Sequence, residues 1–178
     1  MDYEHFLRSN MLVPIHPLGK GAYGCVYLAY SLDYGLVAVK IFLKDKFDKK
    51  EYDASFELYR KRKENFFTTI LKSYYEGDLY SFIIMEYSNM NTLNIIAKQP
   101  HIPLPSYVLR ALMNQILAGI KTFHDSGLIH RDIKCDNILL HSPHGSGLVY
   151  SKISDFGFAK LEDLTHEQTY RAGTIPYM

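Results

Sequence analysis

Through the first half of the chain, apolar and β-branched residues fall in short runs broken by turn formers; in the second half they recur at helical spacing. Cys25 to Tyr30 and Leu36 to Phe42 are β-branched and aromatic, and Asp33, Tyr34 and Gly35 between them mark a turn, so strand, turn, strand is predicted. A further strand is predicted at Ser81 to Met85, within the run Phe82-Ile83-Ile84-Met85-Glu86-Tyr87. Leu12 to Tyr87 therefore reads as mainly β, with a charged helix inserted from about Asp48 to Lys63. After Pro100, Pro103 and Pro105 the period changes. Leu109, Leu112, Ile116, Ile120 and Phe123 share one helical face, which predicts a helix from Ser106, as its cap, to about His124, with those five residues in the core. Ile138 to Leu140 and Leu148 to Ile153 then read as strands joined by the turn-rich segment His141 to Gly147. This order gives an α+β chain, β-rich first and mainly helical afterwards.

Composition narrows the class. With 178 residues, a net charge of +1 and 47% hydrophobic residues, the chain is expected to fold as soluble globular protein with a sizeable core. Its apolar runs are too short to cross a membrane, and Met1 to Asn10 lacks the basic start and apolar stretch of a secretory signal. An intracellular, cytoplasmic location without a membrane partner is expected. Cys25 and Cys135 make no disulfide framework and read as free thiols. The lysines from Lys44 to Lys50 alternate with Asp45 and Asp48, which suits a solvated helix entry and argues against a nucleic-acid partner. The histidines between positions 141 and 147 lack a third ligand and read as exposed.

Chemistry concentrates in two places. Asp132 can accept a proton, Lys134 can neutralise a moving anion, and Asn137 and Asp155 offer the hard oxygens that Mg²⁺ prefers. Any single Asp or Asn is ordinarily a turn or cap residue; the ordered set is what carries meaning. Upstream, Gly19, Gly21 and Gly24 with Val26 form G-x-G-x-x-G-x-V, spelled with Lys20, Ala22, Tyr23 and Cys25. Glycine triplets of this spacing also open dinucleotide-binding folds, but there the strand runs into a helix. Here another strand follows, which suits a flap whose bare backbone N–H groups approach phosphate oxygens, with Tyr23 near its tip shielding the site from water. The next strand carries Val37-Ala38-Val39-Lys40.

His130-Arg131-Asp132, Lys134 and Asn137 followed by Asp155-Phe156-Gly157 spell H-R-D-x-K-x-x-N and D-F-G. Together with the glycine flap and the V-A-V-K strand they resemble the serine/threonine protein kinase family. The resemblance implies the two-lobed protein kinase fold. Residues 1–11 are then an N-terminal extension and residues 12–178 a kinase domain, with 12–87 its N-lobe and hinge entry and 88–178 a partial C-lobe. It implies ATP and Mg²⁺ as cofactors and protein substrates as partners, with the γ-phosphate passed to serine or threonine hydroxyls. Asp132 would be the base, Lys134 its companion cation, Asn137 and Asp155 the metal ligands, and His130 a brace for the D-F-G backbone. Gly19 to Gly24, Val26, Ala38 and Lys40 would contact the nucleotide. Glu86 and Ser88 would offer main-chain groups to adenine beside Met85, with Asn91 or Thr92 near ribose.

A glutamate of the inserted helix should hold Lys40, and Glu51, Glu57 and Glu64 are candidates. Counting back from Ser81 favours Glu57. One turn further on stands Lys61, where the family usually places an apolar residue, a departure that bears on whether this helix takes its active position. Lys134 points to serine/threonine specificity. Gly173 to Met178 resembles the family's G-T-x-x-Y-M segment, in which Thr174 would bond the base and the lysine beside the substrate pocket. Arg131 is expected to meet a phosphate on the activation segment, with Thr169 favoured as the switch over Tyr170 and Thr165. Because the family continues beyond the equivalent of Met178, the chain is expected to be a fragment or a truncated gene product. The alternative to a kinase is a non-catalytic, pseudokinase-like nucleotide-binding or interaction module.

Overall fold

Alternation along three neighbouring strands separates a core face from a site face in the first part of the chain. The computed structural model describes residues 2–21, 24–61, 66–99, 101 and 103–161. It divides into two compact units, Met1–Tyr52 with Ile70–Tyr87, and Asp53–Thr69 with Ser88–Met178.

In the first unit, α1 (Tyr3–Ser9) precedes β1 (Leu12–Gly21), β2 (Gly24–Ser31) and β3 (Gly35–Leu43), and β4 (Leu71–Glu76) and β5 (Tyr80–Glu86) complete an antiparallel sheet of order β1-β2-β3-β5-β4. Side chains alternate across a strand. Ala29, Val37, Val39, Ile41, Phe82 and Ile84 therefore point one way and cluster with Leu7 and Leu12. The segment expected as an extension thus builds part of this core: Asp2 caps α1 by accepting from the His5 N–H at 2.9 Å, Leu7 is fully buried, and Phe6 packs edge-on to Phe82 at 5.8 Å. The other face of the same strands carries Val26, Ala38 and Lys40, through the pairings Val26 with Lys40 and Ala38 with Met85.

Helix α2 spans Lys50–Lys61, and the boundary between the units falls within it, after Tyr52. Its buried residues are Glu51, Ala54, Ser55 and Leu58, spaced as one helical stripe.

The second unit is organised by α4 (Ser106–Asp125), preceded by the single-turn α3 (Asn94–Ala97). Ser106 is the first residue of α4 and not its cap; the capping position is Pro105, which has no side-chain donor or acceptor to offer. The buried residues are Leu112, Ile116, Gly119, Thr122 and Phe123, while Leu109 is 52% exposed, so the core stripe begins a turn later than the apolar pattern suggests. Strands β7 (Ile138–His141) and β8 (Tyr150–Ile153) form a hairpin, and β6 (Leu128–Ile129) pairs with β9 (Lys160–Leu161). The segment after β5 runs along β7: Met90 N–H donates to the Leu140 carbonyl at 3.0 Å, Leu140 N–H to Asn91 at 2.8 Å, and Leu93 N–H to Ile138 at 2.7 Å.

Gly119 is where α4 comes closest to its neighbours. A Cβ there would meet the Phe67 carbonyl oxygen at 2.8 Å and Ile153 Cδ1 at 2.8 Å. Gly119→Ala is therefore expected to destabilise by about 1–3 kcal/mol despite the better helix propensity of alanine. Urea unfolding checks this, and a stabilised variant would refute the close contact.

Candidate active site

The first unit supplies a glycine turn and a buried ion pair. Gly19, Lys20 and Gly21 end β1 and are exposed, and Gly24 opens β2 at φ +150°. A Cβ at Gly24 would lie 1.9 Å from the Ile41 carbonyl oxygen, so that position admits only glycine. Ala22 and Tyr23 lie outside the described residues. Ala38 and Met85 are buried and Val26 is half-buried, an apolar lining of the kind a flat base requires.

Lys40 projects from the face that Ala38 and Val26 share, and its ammonium lies 2.9 Å from both carboxylate oxygens of Glu51. This corrects the expectation of Glu57. Glu51 lies on the buried stripe of α2, whereas Glu57 lies off that stripe and accepts from Arg60 at 3.0 Å. The helix lies within the expected range, but counting back from β5 misplaced the partner by nearly two turns because it did not fix the length of the connection that follows α2. With Glu51 as the partner, the position one turn on is Ser55, buried and polar, so the departure from an apolar residue falls on Ser55 and not on Lys61. The sequence held a usable signal. Asp48 followed three residues later by Glu51 marks a helix start, and Glu51, Ala54, Ser55 and Leu58 repeat at helical spacing.

Glu86 uses its side chain within the first unit, where its carboxylate accepts from the Ile70 N–H at 2.9 Å while its own N–H donates to the Ile70 carbonyl at 3.0 Å. Ser88 is buried and belongs to the second unit. Asn91 has φ +62°, and Thr92 bridges to Leu139, so both belong to the backbone ladder along β7.

In the second unit the loop between β6 and β7 brings together His130, Asp132, Lys134 and Asn137. Asp132 is buried, and its Oδ2 accepts from the Lys134 ammonium at 2.8 Å and from the Asn137 amide at 2.8 Å. The same amide nitrogen donates to the Asp132 carbonyl at 2.9 Å. Two acceptors on one side fix the orientation of the amide, so its oxygen is the atom Asn137 has to offer a cation. Asp155 stands at φ +63°, ψ +77°, a left-handed conformation that is costly for a residue with a side chain and that re-aims the chain between β8 and Phe156. Asn137 and Asp155 are drawn together by a residue the sequence reading passed over: Ser154 donates to the Asn137 carbonyl through its N–H at 2.8 Å and its hydroxyl at 3.1 Å. Nothing in the spelling of the segment distinguishes that serine from a loop serine.

His130 ties the two stretches to one another. Its Nδ1 accepts from the Asp132 N–H at 3.3 Å, which leaves Nε2–H to donate to the Ser154 carbonyl at 3.0 Å. Phe123 and Phe156 pack edge-on to the imidazole at 5.2 and 6.1 Å. Burial among them pushes the imidazole below its ordinary value of 6.5, outweighing the hydrogen bond to Ser154 and the nearby carboxylates of Asp155 and Asp132; Lys134 adds to the lowering. The unfolded chain therefore takes up a proton at a pH where the folded chain does not. The stabilisation is complete above about pH 6.5 and is lost as pH falls from there through the lowered native value. Urea midpoints measured between pH 7.5 and 5 should fall on acidification, more steeply in the wild type than in His130→Gln; equal slopes would refute the buried neutral imidazole.

Arg131, at φ +64°, donates from Nε to the Phe158 carbonyl at 2.8 Å and so holds the chain just past Gly157. Thr165, Thr169, Tyr170 and Thr174 lie outside the described residues. Cys25 and Cys135 are free thiols. Among the described residues no three His, Cys, Asp or Glu side chains converge as a metal-binding group, and no helix is long and apolar enough to cross a membrane. Oxygens of Asn137 and Asp155 are of the hard kind that would suit Mg²⁺.

Comparison with known proteins agrees with this arrangement. Residues 12–178 match the family model described as protein kinase domain. The serine/threonine-protein kinase STE20 of Kluyveromyces lactis is 37% identical over 173 residues, covering 95% of this chain and 16% of that protein. The serine/threonine-protein kinase PLK4 of Xenopus tropicalis is 31% identical over 171 residues, 90% of this chain and 17% of the relative. The serine/threonine-protein kinase dkf-1 of Caenorhabditis elegans is 34% identical over 168 residues, 90% of this chain and 23% of the relative. The chain thus spans less than a quarter of the length of each of these relatives. That family model covers nearly the whole chain, and the chain belongs to the protein kinase domain family.

Proposed function

We propose that the chain is the catalytic part of a serine/threonine protein kinase, transferring the γ-phosphate of ATP to serine or threonine hydroxyls of protein substrates. The observation that carries the proposal is the environment of Asp132: a buried carboxylate whose Oδ2 lies 2.8 Å from the Lys134 ammonium and accepts from the Asn137 amide at 2.8 Å. Phosphoryl transfer asks for positioning and charge neutralisation more than for covalent chemistry. Asp132 orients the incoming hydroxyl and takes its proton. Lys134 sits two residues away and neutralises charge on the phosphoryl oxygens as it moves. Lys40, aligned by Glu51, binds the α- and β-phosphates, and the backbone N–H groups from Gly19 to Gly24, with Lys20, Ala22 and Tyr23, cover them. Val26, Ala38 and Met85 border adenine, to which the main chain of Glu86 and Ser88 offers its polar groups. Asn137 and Asp155 would hold Mg²⁺, which when bound would supply positive charge against the phosphates. Arg131 and Thr169 are the candidate pair for control by phosphorylation, and Thr174 the candidate support for the substrate pocket.

These three relatives carry serine/threonine-protein kinase in their names, which supports the hydroxyl class, as does Lys134. The test is transfer of labelled γ-phosphate from Mg-ATP to a mixed serine/threonine peptide library. Incorporation that requires Asp132 is expected. A folded chain that binds Mg-ATP without incorporation would replace the kinase by a nucleotide-binding module.

A further inference from the structure

Glu51 is the second residue of α2, so the partner of Lys40 stands in the first turn of a helix, where backbone N–H groups lack intrahelical acceptors and the end is prone to fray. A carboxylate three residues after a capping aspartate has a competing use, since it can reach back to the backbone N–H of the capping residue. Here both oxygens of Glu51 lie 2.9 Å from the Lys40 ammonium. The helix start is secured by other groups. Asp48 Oδ1 accepts from the Lys50 N–H at 2.9 Å, its carbonyl accepts from the Glu51 N–H at 3.4 Å, and its Oδ2 lies 3.1 Å from the Lys50 ammonium. The Lys50 backbone bond, first among the causes, holds the Asp48 carboxyl below its usual range. On either side of this cap, Phe47 stacks on Tyr74 at 6.2 Å and Tyr52 packs on the same ring at 4.7 Å, with the Lys49 ammonium 5.1 Å from it. This is an apolar staple across a capped first turn, closed over a strand residue.

We propose that Asp48 is a positioning residue: by capping the first turn of α2 it fixes Glu51, and through Glu51 it sets the ammonium of Lys40 for the nucleotide phosphates. The inference rests on the role given to Lys40 under the proposed function. It ties the alignment of Lys40 to the first turn of a helix, and it puts Asp48, Phe47, Tyr52 and Tyr74 in the service of the phosphate-binding lysine.

A double-mutant cycle on the full chain tests it, reading Mg-ATP affinity and kcat/KM. Asp48→Ala is expected to weaken both about fivefold, the equivalent of the ~1 kcal/mol typical of a lost cap. Asp48→Ser, which keeps a capping oxygen, should restore them. In a Glu51→Gln background Asp48→Ala should have no further effect, because the route through Glu51 is already cut. An equal loss in both backgrounds, or no loss in either, would overturn the proposal. A second arm needs no nucleotide. Coupling is reciprocal, so Lys40→Met should speed amide exchange at residues 50–52, as Asp48→Ala does. Exchange there indifferent to Lys40→Met would overturn the coupling even in an active kinase, whereas a wild type that binds no Mg-ATP would overturn the kinase reading and leave the exchange arm to decide this one.

Discussion

Asp132→Asn is expected to slow phosphoryl transfer by about 10² to 10⁴-fold while leaving Mg-ATP affinity close to that of the wild type. The two side chains have the same shape, so the variant can still orient a hydroxyl; what it loses is the ability to take the proton. It also removes the negative charge to which Lys134 is drawn at 2.8 Å. Part of the loss therefore comes from a cation released from its place, and the effect belongs to the pair. The Asn137 amide faces the same oxygen at 2.8 Å, and rotation of the new amide settles which atom it meets. Asp155→Asn should behave in the opposite sense, weakening Mg²⁺-nucleotide binding, because a cation ligand loses its charge there. Calorimetry for binding and single-turnover kinetics for transfer separate the two. If Asp132→Asn lost nucleotide affinity as severely as Asp155→Asn, or Asp155→Asn bound Mg-ATP as tightly as the wild type, the division of labour between base and metal ligand would be wrong.

What could be read from the sequence follows from how local each feature is. The β-rich first part, the helix from Ser106 and the loop carrying Asp132 and Asn137 are specified by nearby residues, through alternation, helical period and turn chemistry. Gly24 belongs with them, since its close approach to Ile41 comes from the strand pairing that the same hairpin dictates. Features that depend on distant partners were hidden. Leu109 has the right spacing for the core, yet its burial depends on which part of α4 meets β8 and Phe67, a matter settled by the close approach at Gly119. Nor does the run around Leu7 announce that α1 lies on the sheet, because seven residues of mixed character have little amphipathic signature. Ser154 acts through its N–H as well as its hydroxyl, and a backbone donor has no spelling. The helix around Glu51 is intermediate: its cap and its stripe are both local, but they compete with a charged run that reads as a solvated face.

The same helix gives a sharp stability test. The Lys40 and Glu51 side chains are 15% and 6% exposed, so removing the carboxylate leaves an ammonium largely shut off from water without the anion that Glu51 supplies. Breaking a buried pair from one side costs about 3–5 kcal/mol; the residual exposure of Lys40 moves the expectation for Glu51→Ala to the lower end of that range. Glu57→Ala should cost less than about 1 kcal/mol, because its partner Arg60 is 64% exposed and solvent screens the pair. The double replacement Lys40→Met with Glu51→Leu should recover much of the stability, since neither charge then has to be desolvated. It should not recover nucleotide binding, because the phosphates lose their cation. Urea unfolding of the four proteins, with Mg-ATP titration of the folded ones, reads both results. Equal destabilisation by Glu51→Ala and Glu57→Ala would refute the pairing of Lys40 with Glu51. A double variant that regained nucleotide affinity along with stability would show that the lysine serves the fold and leaves the phosphates to other groups.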